Sequence, residues 1–318
     1  MTADNAYLPI HFILSSPRSG TRWLNQALNQ HPAIFATENR LFGNFCDLWP
    51  ASDGTLRPRI TFDHYARAFS GHFEYAELGM NRNQFLRSFQ RFFYRNLIRY
   101  SLSHCEKKVM IDKITPYHGT SEKVLDSIKQ FFPEASLVQL VRDGRDVATS
   151  GGFDWLLKDA QGTDRYAFFV EHRPNIVLRR FFDDELLRVW AKYWVEPIAA
   201  LQNCDVPRVV VRYEEMKVNQ AQVIQRICDH LNIECMPAQA ELCSQNTSFE
   251  KMTGRKPGDA DQLSKARKGI VGDWRSYFTR RDGSLFQELT GNKLIELGYE
   301  TDQKWFESLP ETLDLAIA

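Results

Sequence analysis

Short apolar runs alternate along this chain with longer stretches whose apolar positions recur every three to four residues. The run "HFILSS" stops at two serines and predicts a buried strand; "RWLNQALNQHP" follows with helical spacing and a proline stop at Pro32. "KVMIDK" predicts a second strand, and "SEKVLDSIKQFFP" a helix with a Ser/Glu start and a proline stop. "ASLVQLVRD" predicts a third strand, apolar throughout, as suits a parallel sheet covered on both faces. "DDELLRVWAKYWVEPIAALQN" is an amphipathic helix, "PRVVVRYEEM" a fourth strand and "NQAQVIQRICDHLNI" another helix. Strand and helix alternate, so the expected class is α/β, with a central, mainly parallel sheet flanked by helices.

Two stretches interrupt the alternation. Residues from about 46 to 104 look helical and aromatic, and residues from about 151 to 180 look mixed and loop-like. In an open α/β sheet the ligand lies beyond the carboxyl ends of the strands. Insertions placed there become walls and lids, so one domain over residues 1–318 with two acceptor-side insertions is expected. Plain surface elaboration is the alternative for both.

Composition narrows the class. A 43% hydrophobic, 25% charged chain is ordinary for a globular protein. Lys plus Arg equals Asp plus Glu, 40 each, so no global basic footprint points to nucleic acid. The six cysteines form no CxxC pair and none stands at zinc-finger spacing from a histidine; reduced thiols and no metal site are expected. No basic leader with an apolar core opens the chain, and no run reaches membrane-spanning length. A cytoplasmic enzyme is expected.

Three segments carry chemistry. Between the first strand and helix lies Pro17-Arg18-Ser19-Gly20-Thr21. Backbone amides in such a turn, with the positive end of a helix, bind phosphate-like anions. The nucleotide loop GxxxxGK[ST] is not present, which argues against ATP or GTP with magnesium. In "VRDGRDVATS", Arg142 and Ser150 lie eight residues apart across a turn and a helix, a spacing that can bring both to one anion; mutual surface ion pairs among Arg142, Asp143, Arg145 and Asp146 are the plainer alternative. In "KARKGIVGDWRSYFT", Arg267 and Lys268 adjoin Gly269, and Trp274 and Phe278 at i, i+4 predict a helix packed onto the core.

Together these segments resemble the sulfotransferases that use 3′-phosphoadenosine-5′-phosphosulfate (PAPS). Arg18-Ser19-Gly20-Thr21-Arg22-Trp23 is similar to the family's 5′-phosphosulfate loop, [KR]SGTxW. Arg142, Asp146 and Ser150 match its 3′-phosphate motif RxxxDxxxS, and RKGxxGDW runs complete from Arg267 to Trp274. "RYEEM" and "NTSFEKM" resemble two smaller marks, which put Tyr213, Thr247 and Phe249 around the adenine. The resemblance covers residues 10 to 280 and implies a P-loop-like strand–loop–helix. It also implies Trp23 stacked on adenine, and Arg142, Ser150, Arg267, Lys268 and Gly269 as a second anion site for the 3′-phosphate. PAPS is then cosubstrate and PAP product, with no metal.

The resemblance also implies a general base and a cation on the transferring group. Lys113 matches the family lysine, and Arg18 is shared between sulfate and 5′-phosphate. In the cytosolic branch the base is a histidine in K-[ST]-H-x-P; here Thr115 holds that place and His118 follows three residues on. Other branches use a glutamate. "ATENRLF" resembles one such segment and points to Glu38, while an E-K-x-P pattern points to Asp112. The order of preference is Glu38, Asp112, His118. The expected acceptor is a hydroxyl on a small molecule, lipid or carbohydrate, and a homo-oligomer stays open. The rivals are a kinase-like P-loop phosphotransferase and a catalytically silent PAP-binding protein.

Overall fold

The computed structural model describes residues 9–38, 48–50, 56–58, 79–116, 119–159, 179–261 and 264–314. The expected strand β1, Ile10–Leu14, is buried along its whole length, and its alternate side chains feed opposite faces of a sheet. Phe12 and Leu14 join one core with Met110, Ile114, Ile128 and Leu201. Ile13 joins the other with Leu24, Leu28, Ile111 and Val211. This two-sided burial is what a continuous apolar strand requires.

The chain then forms α1 (Thr21–Asn29), β2 (Ile34–Glu38), a short antiparallel hairpin of β3 (Leu48–Pro50) and β4 (Leu56–Pro58), α2 (Arg82–Cys105) and β5 (Val109–Ile114). It continues through α3 (Ser121–Phe131), β6 (Leu137–Val141), α4 (Gly144–Asp159), α5 (Asp184–Gln202), β7 (Arg208–Arg212), α6 (Tyr213–His230), α7 (Pro237–Asn246) and α8 (Phe249–Thr253). A 3₁₀ turn (Asp273–Ser276), α9 (Arg280–Thr290), α10 (Lys293–Glu296) and a second 3₁₀ turn (Trp305–Ser308) close the described chain. Five strands make one parallel sheet in the order β2-β5-β1-β6-β7. The class is α/β with a central parallel sheet flanked by helices.

That order fixes the site. The connection from β1 runs toward β2, whereas those from β5 and β6 run the other way. Adjacent strands whose connections diverge leave a crevice at their carboxyl ends, where ligands of such sheets bind.

Four details differ from the sequence reading. A fifth strand, β2, lies in "AIFATE", which is too short and too mixed to announce itself. The stretch near residue 151 is helix, not loop, up to Asp159. Its glycines look like breakers but serve packing: a Cβ on Gly151 would fall 2.1 Å from the Trp190 ring. The helix expected at Trp274 is only a 3₁₀ turn, although Trp274 and Phe278 are both buried and meet edge to face at 5.7 Å. The stretch from 46 to 104 holds the β3–β4 hairpin as well as α2.

Candidate active site

The loop after β1 is fixed at both ends. The Ser15 hydroxyl donates to the Leu140 carbonyl at 2.6 Å, and Ser16 to the Trp194 carbonyl at 3.0 Å. Arg18 is held at φ 67, a left-handed conformation that costs a non-glycine residue about 1–3 kcal/mol and therefore marks a place the surroundings dictate. Gly20, at φ 91, precedes α1 and offers no capping side chain, so the helix's first N–H groups face the loop. A Cβ at Gly20 would lie 2.5 Å from the Tyr213 ring, so only glycine fits.

The Arg142 segment locks onto this loop. Arg142 leaves the end of β6 and donates Nη1–H to the Arg18 carbonyl at 3.0 Å. Its guanidinium lies 4.3 Å from the Tyr213 ring centre. Arg142 Nε is buried and has no hydrogen-bond partner, a donor in want of an acceptor. Burial works against its charge, but Asp146, Tyr213 and Glu214 outweigh burial and raise its pKa. On α4, Asp146 accepts from the Gly272 and Trp274 amides at 2.8 and 3.0 Å and so ties the third motif to the second. Arg145 is not on the surface: it is buried, paired with Asp143 and Glu300, and sandwiched between Trp274 and Trp305. Its role is structural.

Arg18 turns toward α4. Its Nε–H donates to the Ser150 hydroxyl at 3.2 Å, Nη1–H to Asp154 at 3.1 Å and Nη2–H to the Lys265 carbonyl at 2.8 Å. Burial lowers its pKa, Asp154 opposes, and the nearby Arg142 and Arg267 add to the lowering. The two segments expected to bind separate anions are therefore joined, since Arg18 of the first holds Ser150 of the second.

Arg267 and Lys268 are both paired with Asp273, the lysine at 2.9 Å. Gly269, at φ 62, lets the backbone pass beneath Phe249, where a Cβ would lie 2.4 Å from the ring. Arg255 donates to the carbonyls of Asp259, Ala266 and Arg267 and so shapes this loop.

Across the cleft, Trp23 donates Nε1–H to the Thr247 carbonyl at 2.8 Å and meets Tyr213 edge-on at 5.7 Å. Thr247 is buried, its hydroxyl donating to the Cys243 carbonyl at 2.7 Å. Lys217 stands 5.5 Å from the Trp23 ring and 5.7 Å from Phe249. Aromatic rings and an ammonium thus form one wall.

At the far end, Glu38 of β2 and Lys113 of β5 are register partners. Lys113 is largely buried; burial lowers its pKa, while Glu38 and Asp112 oppose. Glu38 is also 3.7 Å from Arg22. Asp112 faces the other way: it is fully buried and accepts from the Thr37 hydroxyl at 2.7 Å. It does not line the cleft, because neighbouring residues on a strand point to opposite faces. His118 lies outside the described residues.

These segments enclose a cleft of about 1050 Å³. Nearly all the sequence-nominated residues that are described line it: Arg18, Gly20, Thr21, Arg22 and Trp23; Arg142 and Ser150; Tyr213, Thr247 and Phe249; Arg267, Lys268 and Gly269; Glu38 and Lys113. Ser19 and Asp112 do not; the Ser19 hydroxyl is buried without a partner. Among the described residues, nine Lys and Arg against five Asp and Glu line the cleft, a positive surplus in a chain of net charge zero. Lys217, Arg255, Lys265 and Asp154 line it as well and escaped the sequence reading. Lys217 sits one helical turn beyond Tyr213, a spacing that could have found it; the others carry no local signal.

A sulfotransferase domain family model matches residues 9–298, and the chain belongs to that family. Among curated relatives, sulfotransferase 2A1 of Macaca fascicularis is 28% identical over 54% of this chain and 61% of its own length. Sulfotransferase 2A1 of Homo sapiens is 26% identical over 54% and 61%. The match thus spans about three-fifths of these relatives. The solved structure of mouse sulfotransferase SULT7A1 complexed with PAP aligns over 95% of this chain and 89% of that one, at 19% identity and a TM-score of 0.49.

Proposed function

With family membership as the premise, we propose that this chain transfers a sulfuryl group from PAPS to a hydroxyl of a small-molecule, lipid or carbohydrate acceptor. The products are PAP and a sulfate ester. The observation that carries the reading is one positive cleft in which Glu38 and Lys113 share an end with the amide-rich loop and the Arg142–Ser150 segment.

The residues divide the work. The α1 N-terminus, Arg18, Thr21, Arg22 and the Ser19 backbone hold the 5′-phosphosulfate. Arg142, with its unpartnered Nε, joins Ser150, Arg267, Lys268 and the Gly269 amide on the 3′-phosphate. Trp23, Tyr213, Thr247 and Phe249 surround the adenine. A phosphate carries more charge than the single carboxylate of Asp273, so the ligand displaces Asp273 from Arg267 and Lys268. Glu38 takes the acceptor's hydroxyl proton as that oxygen bonds to sulfur. The bond from sulfur to the bridging oxygen breaks, and Lys113 and Arg18 meet the charge that develops on the departing phosphate.

No helix among the described residues is long and apolar enough to cross a membrane. We place the enzyme in the cytoplasm, as one domain over residues 1–318; the acceptor-side insertions expected at about 46–104 and 151–180 lie in large part outside the described residues. The test is transfer of label from PAPS to a panel of hydroxylated acceptors. Acceptor-dependent labelled product supports the reading. PAP binding with no turnover on any acceptor favours the silent binder, and magnesium-dependent phosphate transfer from ATP favours the kinase-like rival.

A further inference from the structure

His31, Cys228 and Cys235 match no metal motif in sequence, yet the fold gathers them until their donor atoms all lie within 4.8 Å of one another. His31 stands in the turn between α1 and β2, Cys228 near the end of α6, and Cys235 in the link from α6 to α7. His31 and Cys228 are buried and Cys235 is half-buried. Cys243 of α7, also buried, neighbours both thiols. The three cysteines belong to one region of packing, and none of the four residues lines the cleft.

We infer that His31, Cys228 and Cys235 form a structural binding site for a zinc-class divalent ion, with Cys243 or a water in the fourth position. Donors around a tetrahedral zinc lie about 3.3–3.8 Å apart, given bonds of roughly 2.0–2.3 Å. The observed grouping needs only a side-chain adjustment of about an ångström to close on an ion. Thiolates with an imidazole select zinc over magnesium or calcium. The His31 ring hydrogen-bonds the Glu234 backbone, a contact that an ion on the ring would replace. Its Nδ1 now accepts from the Ala33 amide at 3.2 Å. An ion on Nε2 moves the ring proton to Nδ1 and gives up that contact; one local hydrogen bond is worth roughly a tenth of a full structural zinc site. The thiols lose their protons to solvent as they bind. Lys107, whose ammonium donates to the His31 carbonyl at 2.8 Å, brings a positive charge near Cys243.

The placement gives the ion a task. The α1 helix begins at the anion-binding loop, and α7 ends just before Thr247, whose carbonyl holds Trp23. An ion joining the end of α1 to the α6–α7 link would fix the two walls of the nucleotide cleft relative to each other without touching the reacting groups.

The test uses the full chain purified without chelator. Elemental analysis should find about one equivalent of zinc per chain. Cobalt(II) exchanged into the protein should give an intense near-ultraviolet thiolate-to-cobalt absorption. Cys235→Ser and His31→Gln should each weaken zinc binding by at least about 100-fold. Cys235 is half-buried, so its serine variant should fold, and the cobalt spectrum of the parent needs no variant at all. A chain that holds no zinc and shows no thiolate–cobalt band overturns the inference. So does non-reducing mass spectrometry that finds Cys228 and Cys235 joined as a disulfide in freshly purified protein. None of these readouts depends on sulfuryl transfer.

Discussion

Glu38 and Lys113 stand opposite one another in register on adjacent parallel strands, and their side chains enter the same cleft. The pair one step back, Thr37 and Asp112, points to the other face and is closed by a hydrogen bond of 2.7 Å. The pleat alone thus sorts two carboxylates that the sequence left as competitors. One enters the cleft beside the lysine, and the other is a buried strut.

Glu38→Gln keeps shape and hydrogen-bonding capacity and removes basicity. It should lower kcat by about 10²–10⁴ and leave PAP affinity nearly unchanged. Asp112→Asn should act mainly on stability, because its carboxylate meets Thr37 and not the cleft. Steady-state kinetics with calorimetric PAP binding checks both. Near-parental turnover in Glu38→Gln would remove Glu38 from the base role.

PAP should bind much more tightly than AMP. Under the proposed assignment the 3′-phosphate gains several charge-assisted hydrogen bonds, each worth roughly 1.5–3 kcal/mol, reduced by the need to displace Asp273 from Arg267 and Lys268. Equal affinities in titration calorimetry would disprove the second anion site.

Arg142→Ala should abolish most PAP affinity, whereas Ser150→Ala should weaken it only mildly. Arg142 also supports the Arg18 carbonyl and the Tyr213 ring, so its loss should cost about 1–3 kcal/mol of stability as well. Arg142→Lys separates the effects: it keeps the charge, loses the fork, and should recover stability more than binding. Thermal melts with and without PAP read the two apart. If both alanine variants bind PAP like the parent, the segment is only a turn.

Stability should fall as pH drops from about 6.5 toward 4. Burial, and after it the nearby His230, lowers the His11 pKa from 6.5 to about 4, and its Nδ1 accepts from the Ser136 amide at 3.0 Å. The fold holds the neutral ring, so in that window the unfolded chain binds the extra proton. The contribution is complete above pH 6.5, shrinks as pH falls, and is gone below about 4. The shift corresponds to about 3 kcal/mol. His11→Gln should flatten this part of the stability–pH curve in chemical denaturation, and an unchanged slope would assign it to other groups.

The sequence by itself determined the class of fold, the order of most strands and helices, and most of the nominated residues that line the cleft. Those signals are local: an apolar run long enough to cross a sheet, a turn of small residues before a helix, a cation beside a glycine. They need no knowledge of what lies opposite. β2 went unread because an edge strand of five residues carries too little pattern, and with it went the partner of Lys113. Which way Glu38 and Asp112 face depends on pairing register, and Arg18 reaches Ser150 only because β1 and β6 are neighbours in the sheet. Lys265 and Arg255 enter the cleft through a loop that returns from the far end of the chain. The histidine and cysteines between α1 and α6 are separated by nearly two hundred positions and come together only where two helices pack. Each of these is a meeting of distant segments, and it is the geometry of sheet pairing and helix packing, not any local pattern, that decides it.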